Sequence, residues 1–257
     1  MAVRWKCIIL LCPLFLGGCA GLFRSSASLR PIPSDVLVQR LHRHAGKLQT
    51  FIGEGRVTVV TTEGGFRGGL GITSQLPDSL FMKVEGPLGV DVMLGQIGGG
   101  RFTFYYPRDQ LAYTGSIQAM HENSLLPLDL GVAEMARGAL GLFLQQDLTS
   151  SGSVTLSDDV KQYILTMDDG QILWVDPDGP VVTRWERRDE AEELLWTWEG
   201  SRHVTHRGIR LPRMVRVTQY QPTQQVTLFF EKIRVNRSLK QGWSNVTLPE
   251  GVEPIEL

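Results

Sequence analysis

Short runs of alternating polar and apolar residues, broken at regular intervals by glycine, proline and aspartate, fill most of this 257-residue chain. The runs at 53–62, 65–76, 79–86, 90–98, 101–107 and 110–116 follow one another directly. Further runs occupy 153–158, 161–168, 170–176, 180–189, 192–200, 208–220 and 224–236. A period of two sends successive side chains to opposite faces of a sheet. Leu80, Met82 and Val84 thus share one face, and Phe81, Lys83 and Glu85 the other. Phe102, Phe104 and Tyr106 share a face, as do Leu194, Trp196 and Trp198. Asp169-Gly170 and Pro177-Asp178-Gly179 are strong turn signals. Many short strands with regular turns are the pattern of a barrel or sandwich. One apolar and one mixed face lets such a sheet bury a core on one side.

Two segments read as helical. Ser34 is placed to cap a helix, with Asp35 in its first turn, and Leu37, Leu41, Ala45 and Leu48 recur at helical spacing before Gly53 ends it. Residues 125–146 carry Leu130, Val132, Ala133, Met135, Ala136, Leu140 and Phe143, with Asp129 as a cap and Gly131, Gly138 and Gly141 as weak points. A mostly apolar helix between two groups of strands must cover something apolar. The fold class is therefore mainly β with a few helices (α+β). Residues 237–257 read as a tail.

The first residues bear on where the chain resides. Arg4 and Lys6 precede an apolar stretch at 7–16, long enough for a signal-peptide core and shorter than the roughly 20 residues a spanning helix needs. Leu16-Gly17-Gly18-Cys19 follows and is similar to a lipobox, the cleavage signal of bacterial lipoproteins. That likeness implies removal of residues 1–18 and lipidation of Cys19. Ala20, where an Asp would favour inner-membrane retention, then implies sorting to the outer membrane. Residues 19–33 read as the lipidated cysteine and its tether, and 34–257 as a single domain. The three cysteines are 7, 12 and 19, so the mature domain is expected to lack disulfides and thiolate sites. Full-chain charge is 26 Lys+Arg against 27 Asp+Glu; without Arg4 and Lys6 it is 24 against 27, near −3, with nothing to draw nucleic acid.

Motifs for chemistry are sparse. No nucleophile elbow, phosphate loop or zincin motif occurs. Gly64–Gly71 is glycine-rich but alternates like a strand. His42/His44 and His203/His206 lack a third ligand at metal spacing, and Arg202 and Arg207 crowd the second pair, so no metal and no cofactor is expected. The acidic pairs Asp158/Asp159, Asp168/Asp169 and Glu192/Glu193 fall at turns or strand starts and read as solvated. The chain is not expected to be an enzyme; hydrolysis of envelope lipids is the weakest of the competing readings.

Two features point to greasy ligands instead. The aromatic residues Trp174, Trp185, Trp196, Trp198, Trp243, Phe102, Phe104, Phe229 and Phe230 exceed what one covering helix readily encloses, and an open sheet with an apolar face often holds a ligand. The turn Gly86-Pro87-Leu88-Gly89 places Leu88 at a tip where polar residues are usual; Pro87 fixes φ and Gly89 supplies φ > 0, and Leu88 either folds back on its neighbours or dips into a lipid surface.

With the lipobox, the N-terminal helix, the GEGRVTV strand from Gly53, FMKVEGPLGVDVML at 81–94, FTFYYP at 102–107 and the Leu/Pro-rich helical segment, the chain resembles the LolB family of outer-membrane lipoprotein receptors. More broadly it is similar to the LolA/LolB-like superfamily. The likeness is best over 37–145. It implies a strongly curved, half-open antiparallel barrel with a helical lid over an apolar cavity. It also implies binding of lipoprotein acyl chains, or of other lipid, delivered by a periplasmic LolA-like carrier for insertion into the outer membrane. The membrane-insertion loop would be Gly86, Pro87, Leu88 and Gly89. Alternation places the acyl-chain wall on Leu80, Met82, Val84, Val92, Leu94, Phe102 and Phe104, covered by Met135, Leu140 and Phe143. A monomer is expected. The competing expectation is a structural accessory lipoprotein with the same fold and a filled interior.

Overall fold

The computed structural model describes residues 30–77, 79–122, 152–157, 159 and 161–257. Helix α1 (Ser34–Ala45) comes first. Strands β1 (Thr50–Thr61), β2 (Gly64–Gln75), β3 (Ser79–Glu85), β4 (Asp91–Gly98), β5 (Arg101–Tyr106) and β6 (Leu111–Ser116) form a meander, followed by the short helix α2 (Ile117–Glu122). The second group is β7 (Gly152–Ser157), β8 (Gln162–Met167), β9 (Gln171–Asp176), β10 (Val181–Arg188), β11 (Leu194–Ser201), β12 (Val204–His206), β13 (Ile209–Leu211), β14 (Met214–Tyr220), β15 (Thr223–Val235) and β16 (Ile255–Glu256). All but β12 and β13, which pair with each other, join one sheet in the order β16-β6-β5-β4-β3-β2-β1-β15-β14-β11-β10-β9-β8-β7. Its strands are antiparallel except for β16, which adds to β6 in parallel. The sheet is curved and does not close into a barrel.

The centre is the β15-β1-β2 ladder. β1 pairs with β2 from Thr50 to Thr61 and with β15 from Phe51 to Val60, with a bulge between Glu54 and Gly55. Strand structure starts three residues before the expected Gly53. Phe51 is 1% exposed and stacks edge-on against Phe230 at 5.3 Å, so burial overrides the helical reading of that stretch. Both rings lie over Gly53: a Cβ there would sit 2.6 Å from Phe51 and 2.7 Å from Phe230. Gly95 in β4 likewise lies under the ring of Phe104. Aromatic side chains thus lie down across glycines of neighbouring strands instead of standing off the sheet.

Register fixes which side chains share the inner face. Leu70, Ile72 and Ser74 of β2 oppose Val84, Met82 and Leu80 of β3, which in turn oppose Met93, Gly95 and Ile97 of β4. Phe104 and Phe102 oppose Gly95 and Ile97, and Tyr113 and Gly115 continue the rungs on β6. In the other half, Trp185 opposes Leu173 and Trp198, and Trp198 opposes Val217. The rings of Trp185 and Trp196 meet edge-on at 4.1 Å.

Helix α1 presents Leu37, Leu41 and Ala45 to this second half, in one cluster with Leu165, Leu173, Val182 and Trp185. Pro33, rather than Ser34, occupies its N-cap. Buried His44 donates from Nε2 to the carbonyl of Arg210 on β13 at 3.0 Å. Burial pushes its pKa below the usual histidine value, and the cations Lys47 and Arg210 act in the same direction. The run read as one strand at 208–220 is split by Pro212, which has no N–H for a ladder, into β13 and β14. The expected tail contains β16: Leu257 N–H donates to Thr114 O at 2.9 Å, and Arg101 binds Glu256 at 2.6 Å. Ser116 Oγ accepts the Ala119 N–H at 3.1 Å and so starts α2, a helix that carries no periodic signal in the sequence.

Candidate functional site: the apolar inner face and its exposed rim

The residues expected on the acyl-chain wall divide by register. Leu80, Met82, Val84, Phe102 and Phe104 lie on the inner face. Leu94 does not: it opposes Lys83 and Tyr105, and so belongs to the outer face. Val92 sits in a bulge, where Glu85 pairs with Asp91 and Val84 with Met93, and packs half-buried beside Gly86. The loop after β3 sets the parity, so even-numbered positions of β3 face odd-numbered positions of β4. Alternation within each strand alone does not carry this information. Met93 takes the place assigned to Leu94. Met135, Leu140 and Phe143 lie outside the described residues.

Burial along this face is graded. Phe104 is 0% exposed and Phe102 1%, and Leu80 and Val84 are also buried. Met82, Met93, Tyr106 and Tyr113 are half-buried and packed against the same cluster. The phenol of Tyr106 is pushed above its ordinary pKa by burial, so it is a neutral group on an apolar wall.

The rim is the end of the sheet bearing the 62–63, 86–90, 107–110 and 221–222 turns. Leu88 is 102% exposed. It sits at φ 65°, with Gly89 next at φ 73°, so both residues of the tip are left-handed. Gly86 and Val90 close the loop with an N–H···O bond of 2.8 Å. Below it, Lys83 bridges Glu85 at 2.8 Å and Asp91 at 2.9 Å, tying the two strands of the hairpin; the hydrogen bonds from Lys83 to Glu85 and Asp91 raise the lysine pKa. Val60, Val90, Leu111 and Tyr220 are exposed at this same end. Among the described residues, the remaining exposed large apolar side chain is Ile255 on the edge strand. Five exposed apolar side chains thus lie toward one end of the sheet, Leu111 on the inner face and Val60 and Tyr220 on the outer.

Of the histidine pairs, His203 is pushed below the usual histidine pKa by burial. His206 lies on β12.

Comparison with solved structures supports the fold. A protein of the DUF1329 family from Desulfovibrio piger superposes with a TM-score of 0.65 at 15% identity, over 83% of this chain and 97% of that one. A putative outer membrane lipoprotein-sorting protein domain from Vibrio parahaemolyticus matches with a TM-score of 0.57 at 14% identity, over 82% and 95%. A LolA superfamily protein from Nitrosomonas europaea matches with a TM-score of 0.56 at 11% identity, over 84% and 98%. This chain has a LolA-like α+β fold. No protein-family model matches the chain, and no curated protein does.

Proposed function

We propose that this protein is a lipid-anchored envelope lipoprotein that takes acyl chains of lipoproteins or other lipids onto its inner face and helps insert them into the outer membrane, as a LolB-like receptor would. The observation that carries the reading is Leu88: a fully exposed leucine in left-handed backbone, at the same end of the sheet as four other exposed apolar side chains. A tip that makes no use of the fold's own core is suited to a bilayer. The fold shared with a lipoprotein-sorting domain and a LolA superfamily protein supports the same reading.

Acyl transfer of this kind needs no covalent step. A chain of about fifteen methylenes costs about 12 kcal/mol in water at about 0.8 kcal/mol each, so it must pass from one apolar enclosure to another. Leu80, Phe102 and Phe104 are sealed in this state, so the inner face has to open before a chain can reach them. That same burial favours a second reading, an accessory lipoprotein whose interior is filled. Solvent extraction and mass spectrometry of the Cys19→Ala protein, purified without detergent, separates the two: acyl lipid in near-stoichiometric amount supports the carrier, and lipid-free protein supports the accessory role.

A further inference from the structure

On the outer face, three arginines from distant parts of the chain surround one phenylalanine. The guanidinium carbons of Arg56, Arg202 and Arg213 lie 5.7, 5.6 and 5.6 Å from the centroid of Phe229. Arg56 is the cross-strand partner of Phe229 on β1, and Met214 is its partner on β14. Arg202 and Arg213 come from the segments that leave β11 and enter β14, joined by the Arg213 N–H to the Arg202 carbonyl at 3.4 Å. We propose that Arg56, Arg202 and Arg213 form a binding site for a phosphate monoester on the outer face of the sheet.

Charge and donor inventory lead there. Glu231 is the carboxylate paired within this group, to Arg56 Nε at 3.0 Å. Three positive charges against one negative leave two, the charge of a phosphate monoester at neutral pH. Arg213 spends Nε on Phe230 O and one terminal nitrogen on Glu231 O, which fixes its orientation. Arg202 has no side-chain hydrogen bond or ion pair among the described residues, and its backbone is held left-handed at φ 54°. Planar guanidinium forks match phosphate oxygens in pairs. A carboxylate offers two oxygens; a phosphate monoester offers three, one for each arginine. Elsewhere on this face Lys232 and Arg234 share Glu54. The site lies on the face opposite the apolar wall and does not depend on acyl-chain binding.

The source of the phosphate, lipid headgroup or free ester, is decided by titration calorimetry on the full-length protein in a neutral maltoside detergent. One arm adds mixed micelles of phosphatidic acid, with phosphatidylcholine micelles as blank; the other adds glycerol-3-phosphate. Saturable binding in either arm, weakened about tenfold by Arg202→Gln and left within about twofold by Arg234→Gln, supports the site. Binding confined to phosphatidic acid identifies a lipid headgroup, and comparable binding of glycerol-3-phosphate identifies the free ester. No saturable binding in either arm, or equal losses in the two variants, overturns the proposal. Arg202 is exposed, so its replacement is expected to leave folding intact, and an unchanged melting temperature checks that.

Discussion

Replacing Leu88 by asparagine is expected to move stability and membrane affinity in opposite directions. Leucine in left-handed backbone costs about 1 kcal/mol relative to a residue that tolerates it, and asparagine is such a residue. The side chain is 102% exposed, so the fold loses no packing when it is removed. Leu88→Asn should therefore stabilise the folded state by about 0.5–1 kcal/mol, which in a domain of this size raises Tm by about 1–4 °C. Transfer of an exposed leucine into an apolar phase is worth about 1.5–3 kcal/mol, so loss of that insertion should weaken partition onto vesicles about 10- to 150-fold. Calorimetric melting gives the first quantity. Sedimentation with phospholipid vesicles gives the second, in a Cys19→Ala background so that no acyl anchor contributes. A variant destabilised by more than about 1 kcal/mol would show that Leu88 packs on its own domain, and unchanged partition would remove it from membrane contact.

Other consequences are as specific. Gly95→Val drives a side chain into the ring of Phe104 and should cost about 1–3 kcal/mol in urea unfolding; a loss under about 0.5 kcal/mol would mean that the ring is free to move. His44 has a folded-state pKa below 6.5, so its contribution to docking α1 is fully present above pH 6.5 and is lost as pH falls through the lowered value. Amide exchange across Ser34–Ala45 should accelerate over that acidic window, and His44→Gln should flatten the dependence; an unaltered profile in the variant would contradict the role of His44. Cys19→Ala should release the protein from membranes, and retention in the membrane fraction would show another anchor.

Much of the fold was legible because period-two alternation and turn residues are local. The β3–β4 hairpin, the Leu88 tip and the shared face of Trp196 and Trp198 all follow from neighbouring residues. Long-range pairing was less legible. The parity that puts Met93 inward and Leu94 outward depends on register across a loop and on a bulge at Val84/Glu85. The pairing of Ile255 with Tyr113 joins residues far apart in sequence, and two residues of strand carry no periodic signal. Phe51 was hidden because its strand character comes from Phe230 across the sheet. The three arginines around Phe229 share no motif; only the β14–β15–β1 ladder and the turn at Arg202 bring them together.

Acyl-chain binding requires the inner face of this sheet to open. A diazirine-bearing fatty acid, photoactivated in the presence of the protein and mapped by tandem mass spectrometry, reads this directly, because adjacent residues of one strand lie on opposite faces. If the face opens, adducts are expected on Met82, Met93, Tyr106 or Tyr113. Adducts confined to Phe81, Leu94 and Tyr105, or no saturable labelling, would contradict it.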